Sequence, residues 1–230
     1  MSSVPVLTID GPSGSGKGTI SRRIAGRMGW HLLDSGALYR LVALAGQLAR
    51  LDANDEAGHA RLAAGFAVHF GQNHQGEERI LLGSAPQDVT AAIRTEEAGQ
   101  GASRVAAWPR VRLALLQRQR DFARPPGLVA DGRDMGTVVF PAAKLKVFLT
   151  ASPEERARRR HNQLKDKGSG ANLAALSQEI AERDRRDSTR AVSPLVPAAE
   201  AIVVDSTDLG IEEVVDRILA ELRTRGLSKA

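Results

Sequence analysis

The chain has 230 residues, 42 % hydrophobic and 26 % charged, with a formal net charge of +5 and no cysteine. Those values exclude a disulfide scaffold and thiolate metal sites, and no run approaches the ~18 apolar residues of a membrane span. The positive balance admits a nucleic-acid partner, but aromatic residues are only 3 %, too few for base-stacking platforms. Arginine gathered around phosphates is the alternative, and it suits that side chain's planar fork.

The first apolar run, Val4 to Ile9, follows Met1-Ser2-Ser3 with no signal-peptide pattern and stops at Asp10. Gly11-Pro12-Ser13-Gly14-Ser15-Gly16-Lys17-Gly18-Thr19 comes next, a full match to G-x-x-x-x-G-K between a strand and a helix expected over 17–28. Glycines allow positive φ and close backbone approach, so successive N–H groups can converge on phosphate oxygens. Lys17 adds a mobile charge, and the helix N-terminus adds its positive end. Polyphosphate is thereby fixed as the ligand class. Gly18 stands where most P-loop ATPases and GTPases place the Ser or Thr that ligates Mg²⁺, and the hydroxyl arrives one residue later at Thr19. The G-K-G-T ending resembles the nucleoside monophosphate kinases, which points to phosphoryl transfer to a small acceptor.

Further strands are expected at Trp30–Leu33, Gly127–Asp131, Leu145–Ala151 and Ala201–Asp205, with amphipathic helical segments around 36–51, 96–123, 153–187 and 211–224. This alternation predicts an α/β fold: a parallel five-stranded sheet of P-loop NTPase type, flanked by helices. Residues 66–90 break the rhythm with short apolar runs separated by turn residues, which predicts a small antiparallel β insert. Lys165 to Ala171 reads as a short connection.

Three segments carry candidate chemistry. In Leu32-Leu33-Asp34-Ser35-Gly36-Ala37-Leu38-Tyr39-Arg40, Ser35 can cap a helix whose i, i+4 spacing puts Ser35 and Tyr39 on one face with Arg40 adjacent. A plain cap with a surface arginine is the alternative. Asp131 closes a strand where a Walker-B-type aspartate sits, followed by Gly132-Arg133-Asp134-Met135-Gly136. Arg133 and Asp134 could equally form a mutual surface ion pair. In Glu182 to Arg190, helical spacing places Arg183, Asp187 and Arg190 on one face. Such a run can also be merely solvated, as can the cluster Arg156, Arg158, Arg159 and Arg160.

Taken together, GPSGSGKGT at 11–19, LLDSGALYR at 32–40, IRTEE at 93–97, ASRVAAWPRVR at 102–112, ADGRDMGTVVFP at 130–141 and ERDRRDSTRAVSPL at 182–195 closely resemble the bacterial cytidylate kinases. The resemblance spans nearly the whole chain. It implies one nucleoside monophosphate kinase domain over 1–230: a core at about 1–65, 91–151 and 191–230, the β insert at about 66–90, and a helical lid at about 152–190. It implies that ATP is bound by residues 11–19. Arg40, Arg133 and Arg190 would hold the CMP phosphate, Ser103, Arg112 and Asp134 would read cytosine, and Asp187 with Arg183 and Tyr39 would hold the ribose. Ser35 joins the substrate-binding set, and Lys17, Arg133, Arg190 and Arg186 form the catalytic set. The reaction would convert CMP, and dCMP, to the diphosphate at the expense of ATP.

Because the acceptor phosphate is already ionised, no general base is required. The chemistry asks for two anions neutralised in line and water excluded. Arginines among 156–160 and Arg186 are expected to close over the transferring group. Mg²⁺ is expected to be held through water and Thr19, with Asp131 or Asp34 behind it. The expected partners are small nucleotides, with neither nucleic acid nor membrane, for a cytoplasmic monomer. Rival readings are a kinase for UMP, AMP or shikimate, and a non-catalytic P-loop protein that binds RNA through its basic surface. Two departures from the family pattern stand out: Gly99-Gln100-Gly101 places two glycines in a helix, and Trp108 replaces a common Phe. The five histidines, His31, His59, His69, His74 and His161, form no metal-ligand spacing and read as structural or surface residues.

Overall fold

Five apolar strands make one parallel sheet: β1 (Val6–Asp10), β2 (His31–Asp34), β6 (Leu128–Gly132), β7 (Leu145–Thr150) and β8 (Ile202–Asp205), in the order β2-β6-β1-β7-β8. Every residue of β1 and β6 is buried, which is why both read as unbroken apolar runs. The edge strands β2 and β8 are partly exposed. The computed structural model describes residues 4–72, 78–166, 170 and 172–227. Within them the chain divides into two compact units, Met1–Asp34 with Gln119–Ala230, and Ser35–Arg118.

In the larger unit, α1 (Lys17–Met28) and α8 (Ile211–Thr224) pack with the sheet in one core. Helix α8 lays Val214, Val215, Ile218, Leu219 and Leu222 on one stripe at helical spacing. That stripe meets Leu7, Ile9, Val147 and Leu149 from the strands and Ile20 and Ile24 from α1. Each fully buried Leu or Ile contributes roughly 1.5–3 kcal/mol, so this core holds β1, and the loop that follows it, rigidly. The segment expected as one helix over 153–187 is two, α6 (Pro153–Lys165) and α7 (Leu173–Thr189). Ser152 caps the first, with Pro153 in its opening turn, and Asn172 caps the second by accepting from the Ala174 N–H at 2.8 Å.

The smaller unit holds α2 (Ser35–Leu48), α3 (Glu56–Gly65), the antiparallel sheet β3 (Val68–Gln72), β4 (Glu78–Leu82) and β5 (Gln87–Asp88), then α4 (Glu96–Val105) and α5 (Pro109–Arg120), whose last two residues belong to the larger unit. The helical segment expected over 96–123 breaks at Pro109, whose ring disfavours helix at Trp108 and whose missing N–H is harmless in a first turn. Helix α3 escapes the sequence reading because its buried positions, Gly58, His59 and Ala63, form no continuous apolar stripe. The expected turn at 73–77, with His74, and residues 167–169 and 171 of the expected connection lie outside the described residues.

Both departures in this unit have a packing reason. A Cβ on Gly101 would lie 3.0 Å from the Ala43 Cβ, so this glycine lets α4 approach α2 closely. The ring of His59 meets Trp108 edge-on, with centroids 5.1 Å apart, and occupies the space a side chain at Gly46 would need. Among the described residues, no helix is long and apolar enough to cross a membrane.

Candidate active site

The loop after β1 is built by close approach. A Cβ on Gly11 would fall 2.0 Å from the Leu149 carbonyl oxygen, and Gly16 takes φ +90 as it opens α1, a conformation side chains resist. Ser15 Oγ donates to the Pro12 carbonyl at 3.1 Å, and Lys17 Nζ reaches the same oxygen at 3.0 Å. Lys17 is buried, and desolvation together with the guanidiniums of Arg133 and Arg183 lowers its pKa, against the opposing pull of Asp131 and Asp34. Asp131 is raised, first by its own burial, then by Asp34, while Lys17 pulls it back. A buried ammonium that is costly to keep charged is one that an arriving polyphosphate would stabilise.

Asp34 and Asp131 are register partners at the ends of β2 and β6. A Cβ at Gly18 would meet Asp131 Oδ2 at 3.3 Å, so a carboxylate stands over the position where related loops carry a hydroxyl. Among the described residues no group of three or more His, Cys, Asp or Glu could hold a metal. A pair of carboxylates beside a phosphate site nevertheless suits Mg²⁺, which takes one or two carboxylates plus substrate phosphates in preference to a protein cage.

The loop after β6 and helix α7 supply a basic cluster. Arg133 Nε donates to Asp187 Oδ2 at 3.0 Å, so Arg133 pairs with α7, and the mutual Arg133–Asp134 pair weighed from sequence is superseded. Burial would raise the Asp187 carboxyl, but Arg133, Arg183 and Arg190 outweigh it and hold it below the usual carboxylate range. Arg183 also reaches Ser13 Oγ of the P-loop at 3.3 Å, and Arg190 donates to the Ser193 carbonyl. The charge run at 182–190 is thus not a wholly solvated face: Asp187 is 4 % exposed. Asp134 is also buried, while Arg186 on α7 is half-buried.

The cluster on α6 divides. Arg156 is buried and donates to Ala151 O, to Ser13 O of the P-loop and to Asp184 Oδ2 on α7 at 3.0, 3.1 and 2.6 Å. Arg159 binds Glu155, Ser15 O and Ser206, whereas Arg158 is exposed against Glu155, and Arg160 bonds Gln163. Arg156 and Arg159 are therefore committed to the backbone around the P-loop. Sequence reasoning missed that commitment, since nothing in a run of arginines separates the buried members from the solvated ones.

In the smaller unit, Tyr39 and Arg112 meet, the guanidinium lying 5.8 Å from the ring centroid, and Arg112 Nη1 also donates to Ala106 O at 3.1 Å. Ser35, at the start of α2, and Ser103, on α4, are both buried. Arg40 Nη1 donates to the carbonyls of Ile93 and Thr95 at 2.7 and 3.1 Å, which ties α2 to the segment preceding α4.

A parallel sheet with β1 at its centre, a glycine-built loop feeding a helix, and a buried lysine against strand-end carboxylates define a P-loop nucleotide-binding protein. The sequence model of the family described as cytidylate kinase matches residues 7–224. A relative named cytidylate kinase from Stutzerimonas stutzeri is 58 % identical over 225 residues, covering 98 % of both chains. Relatives of the same name from Colwellia psychrerythraea and Azotobacter vinelandii are 57 % and 58 % identical, covering 94 % and 97 % of this chain and 95 % and 97 % of their own. The chain belongs to the cytidylate kinase family, and it is a nucleoside monophosphate kinase.

Proposed function

We propose that this chain transfers the γ-phosphoryl group of ATP to CMP, and to dCMP, by in-line displacement. The observation that carries this reading is the set of arginines gathered around Asp187, one of which, Arg183, also touches the P-loop. A kinase whose acceptor is itself an anion needs positive charge beside the triphosphate site, and Arg133 and Arg190 supply it. On the family resemblance, Arg40 serves the same phosphate, and Asp187, Arg183 and Tyr39 take the sugar.

Cytosine presents an exocyclic amino donor beside ring acceptors. The Asp134 carboxylate complements the donor, while Arg112 and Ser103 suit the acceptors. Uracil would turn an oxygen toward that carboxylate, and a site built on such a match rejects the wrong base strongly. Ser35 completes the acceptor set. Lys17 and the N–H groups of residues 11–19 grip the triphosphate. Mg²⁺, when bound, would neutralise charge on the triphosphate, and it would be held through water and Thr19 with Asp131 or Asp34 behind it. Arg186 is assigned to the transferring group, with Arg158 and Arg160 completing closure.

An assay of ADP production with CMP, dCMP, UMP and AMP as acceptors tests this reading. CMP and dCMP should dominate. Equal turnover of UMP or AMP overturns the assignment of cytosine specificity, and no acceptor-dependent ADP release overturns the kinase reading.

A further inference from the structure

Asp10 closes β1, every residue of which is buried, with a titratable group that the reaction above leaves without a task. It is 3 % exposed, and its carboxylate is engaged by the loop after β6. Oδ1 accepts from the Met135 N–H and Oδ2 from the Gly136 N–H, each at 2.8 Å and each about 125 residues distant in sequence. Those two N–H groups open the π-type turn Met135–Val139, whose own preceding residue, Asp134, makes no side-chain capping bond. Turns of this kind concentrate at functional sites, and this one has its cap supplied from another strand.

The turn has little freedom to settle elsewhere. Met135 is fully buried, and a Cβ on Gly132 would run into its side chain at 2.7 Å. A Cβ on Gly136 would meet Thr8 Oγ1 at 3.0 Å and Asp10 Oδ2 at 3.4 Å. Between those two glycines stand only Arg133, Asp134 and Met135, so fixing the N–H groups of 135 and 136 fixes the direction in which Asp134 leaves the backbone. Desolvation raises the Asp10 carboxyl to about 7, a cost that its backbone bonds only partly offset. Retaining a carboxylate at such cost is understandable if it orders something the reaction needs.

We propose that Asp10 is a positioning residue for base discrimination, holding the 132–136 turn so that Asp134 and Arg133 meet the acceptor in register. The inference rests on the reading of Asp134 as the cytosine reader. It assigns Asp10 no contact with either nucleotide.

The test compares Asp10→Ala, Asp10→Asn and Asp134→Ala in KM and kcat for CMP and UMP, with affinity for a fluorescent ATP analogue measured in parallel. Asp10→Ala removes two buried hydrogen bonds to backbone N–H groups and is expected to raise KM for CMP about tenfold or more and to narrow the CMP-over-UMP ratio of kcat/KM by about tenfold. Affinity for the ATP analogue should stay within about threefold of wild type, since no bond to the P-loop is lost. Asp10→Asn keeps the shape and one acceptor oxygen, so it should fall between the two and carry the test should the alanine variant not fold. A purely structural role would lower the active fraction and leave the CMP-over-UMP ratio unmoved, and that result overturns the inference. Loss of the ATP analogue in proportion to CMP also overturns it. Should Asp134→Ala leave the ratio unchanged as well, the base-reading assignment itself falls. If only Asp134→Ala changes it, the positioning role alone is lost.

Discussion

Arg133 and Asp187 form an ion pair that is 17 % and 6 % exposed at its side chains, joining the loop after β6 to α7. Here a half-buried guanidinium meets a buried carboxylate, and Arg183 and Arg190 add further positive charge around Asp187. An arriving phosphate would meet a region where several guanidiniums already converge. Arg133→Ala is accordingly expected to weaken CMP binding by ~2–5 kcal/mol, the range for truncating one partner of a buried, hydrogen-bonded charge pair. Arg133→Lys should recover only part, because a point charge cannot reproduce the fork. Calorimetric titration with CMP measures both, and an unchanged affinity in Arg133→Ala would remove this residue from the acceptor site.

Lys17 offers a contrast between stability and turnover. Its ammonium is buried, lowered in pKa and anchored on the Pro12 carbonyl. Removing it relieves a desolvation penalty while deleting the charge that meets the triphosphate. Lys17→Ala should therefore lose measurable ADP production while its Tm stays level or rises. Thermal melts beside the acceptor assay check this. A variant that kept near-native turnover would take the P-loop lysine out of the reaction.

Helix packing gives predictions of opposite sign at two glycines, one in each unit. Gly26 in α1 has nothing within 4 Å of the place its Cβ would occupy, so Gly26→Ala should stabilise by roughly 0.5–1 kcal/mol through helix propensity. Gly101 is pressed against Ala43 of α2, and Gly101→Leu should cost about 1–3 kcal/mol from overpacking, whatever it gains in propensity. Urea denaturation of the two variants separates the effects. A neutral Gly101→Leu would mean that α4 can lift away from α2 freely.

The parallel sheet was legible because its central strands are buried on both faces and announce themselves as apolar runs ending in Asp10 and Asp131. The P-loop was legible because its glycines are demanded by local geometry, as at Gly11 and Gly16. What escaped depends on partners distant in sequence. The capping of the 135–139 turn by Asp10 spans the chain, and the burial of Arg156 depends on Ser13 and Asp184. Neither has a periodic or motif signature. The glycine at 101 read as a flaw because helix propensity is local, whereas its reason, Ala43, lies on another helix.

Asp10 also sets a pH dependence of stability. Its carboxyl is raised from 3.8 to about 7, by desolvation first and then by Asp134 and Asp131, against the backbone bonds of Gly136 and Met135. Between about pH 4 and 7 the folded chain then holds a proton that the unfolded chain has released. Stability from this group is fully present below the unfolded value and is lost as pH rises through about 7, a swing of roughly 4 kcal/mol at most for a buried site. Asp131, also raised, acts in the same direction. Lys17, lowered, opposes the trend above neutrality, where its unfolded form would bind the extra proton. Asp10→Asn removes the titrating group and should gain on wild type as pH climbs from 5 to 8. Urea denaturation at intervals across that range measures the difference, and a gap between the two proteins that stays constant with pH would show that Asp10 keeps one protonation state throughout.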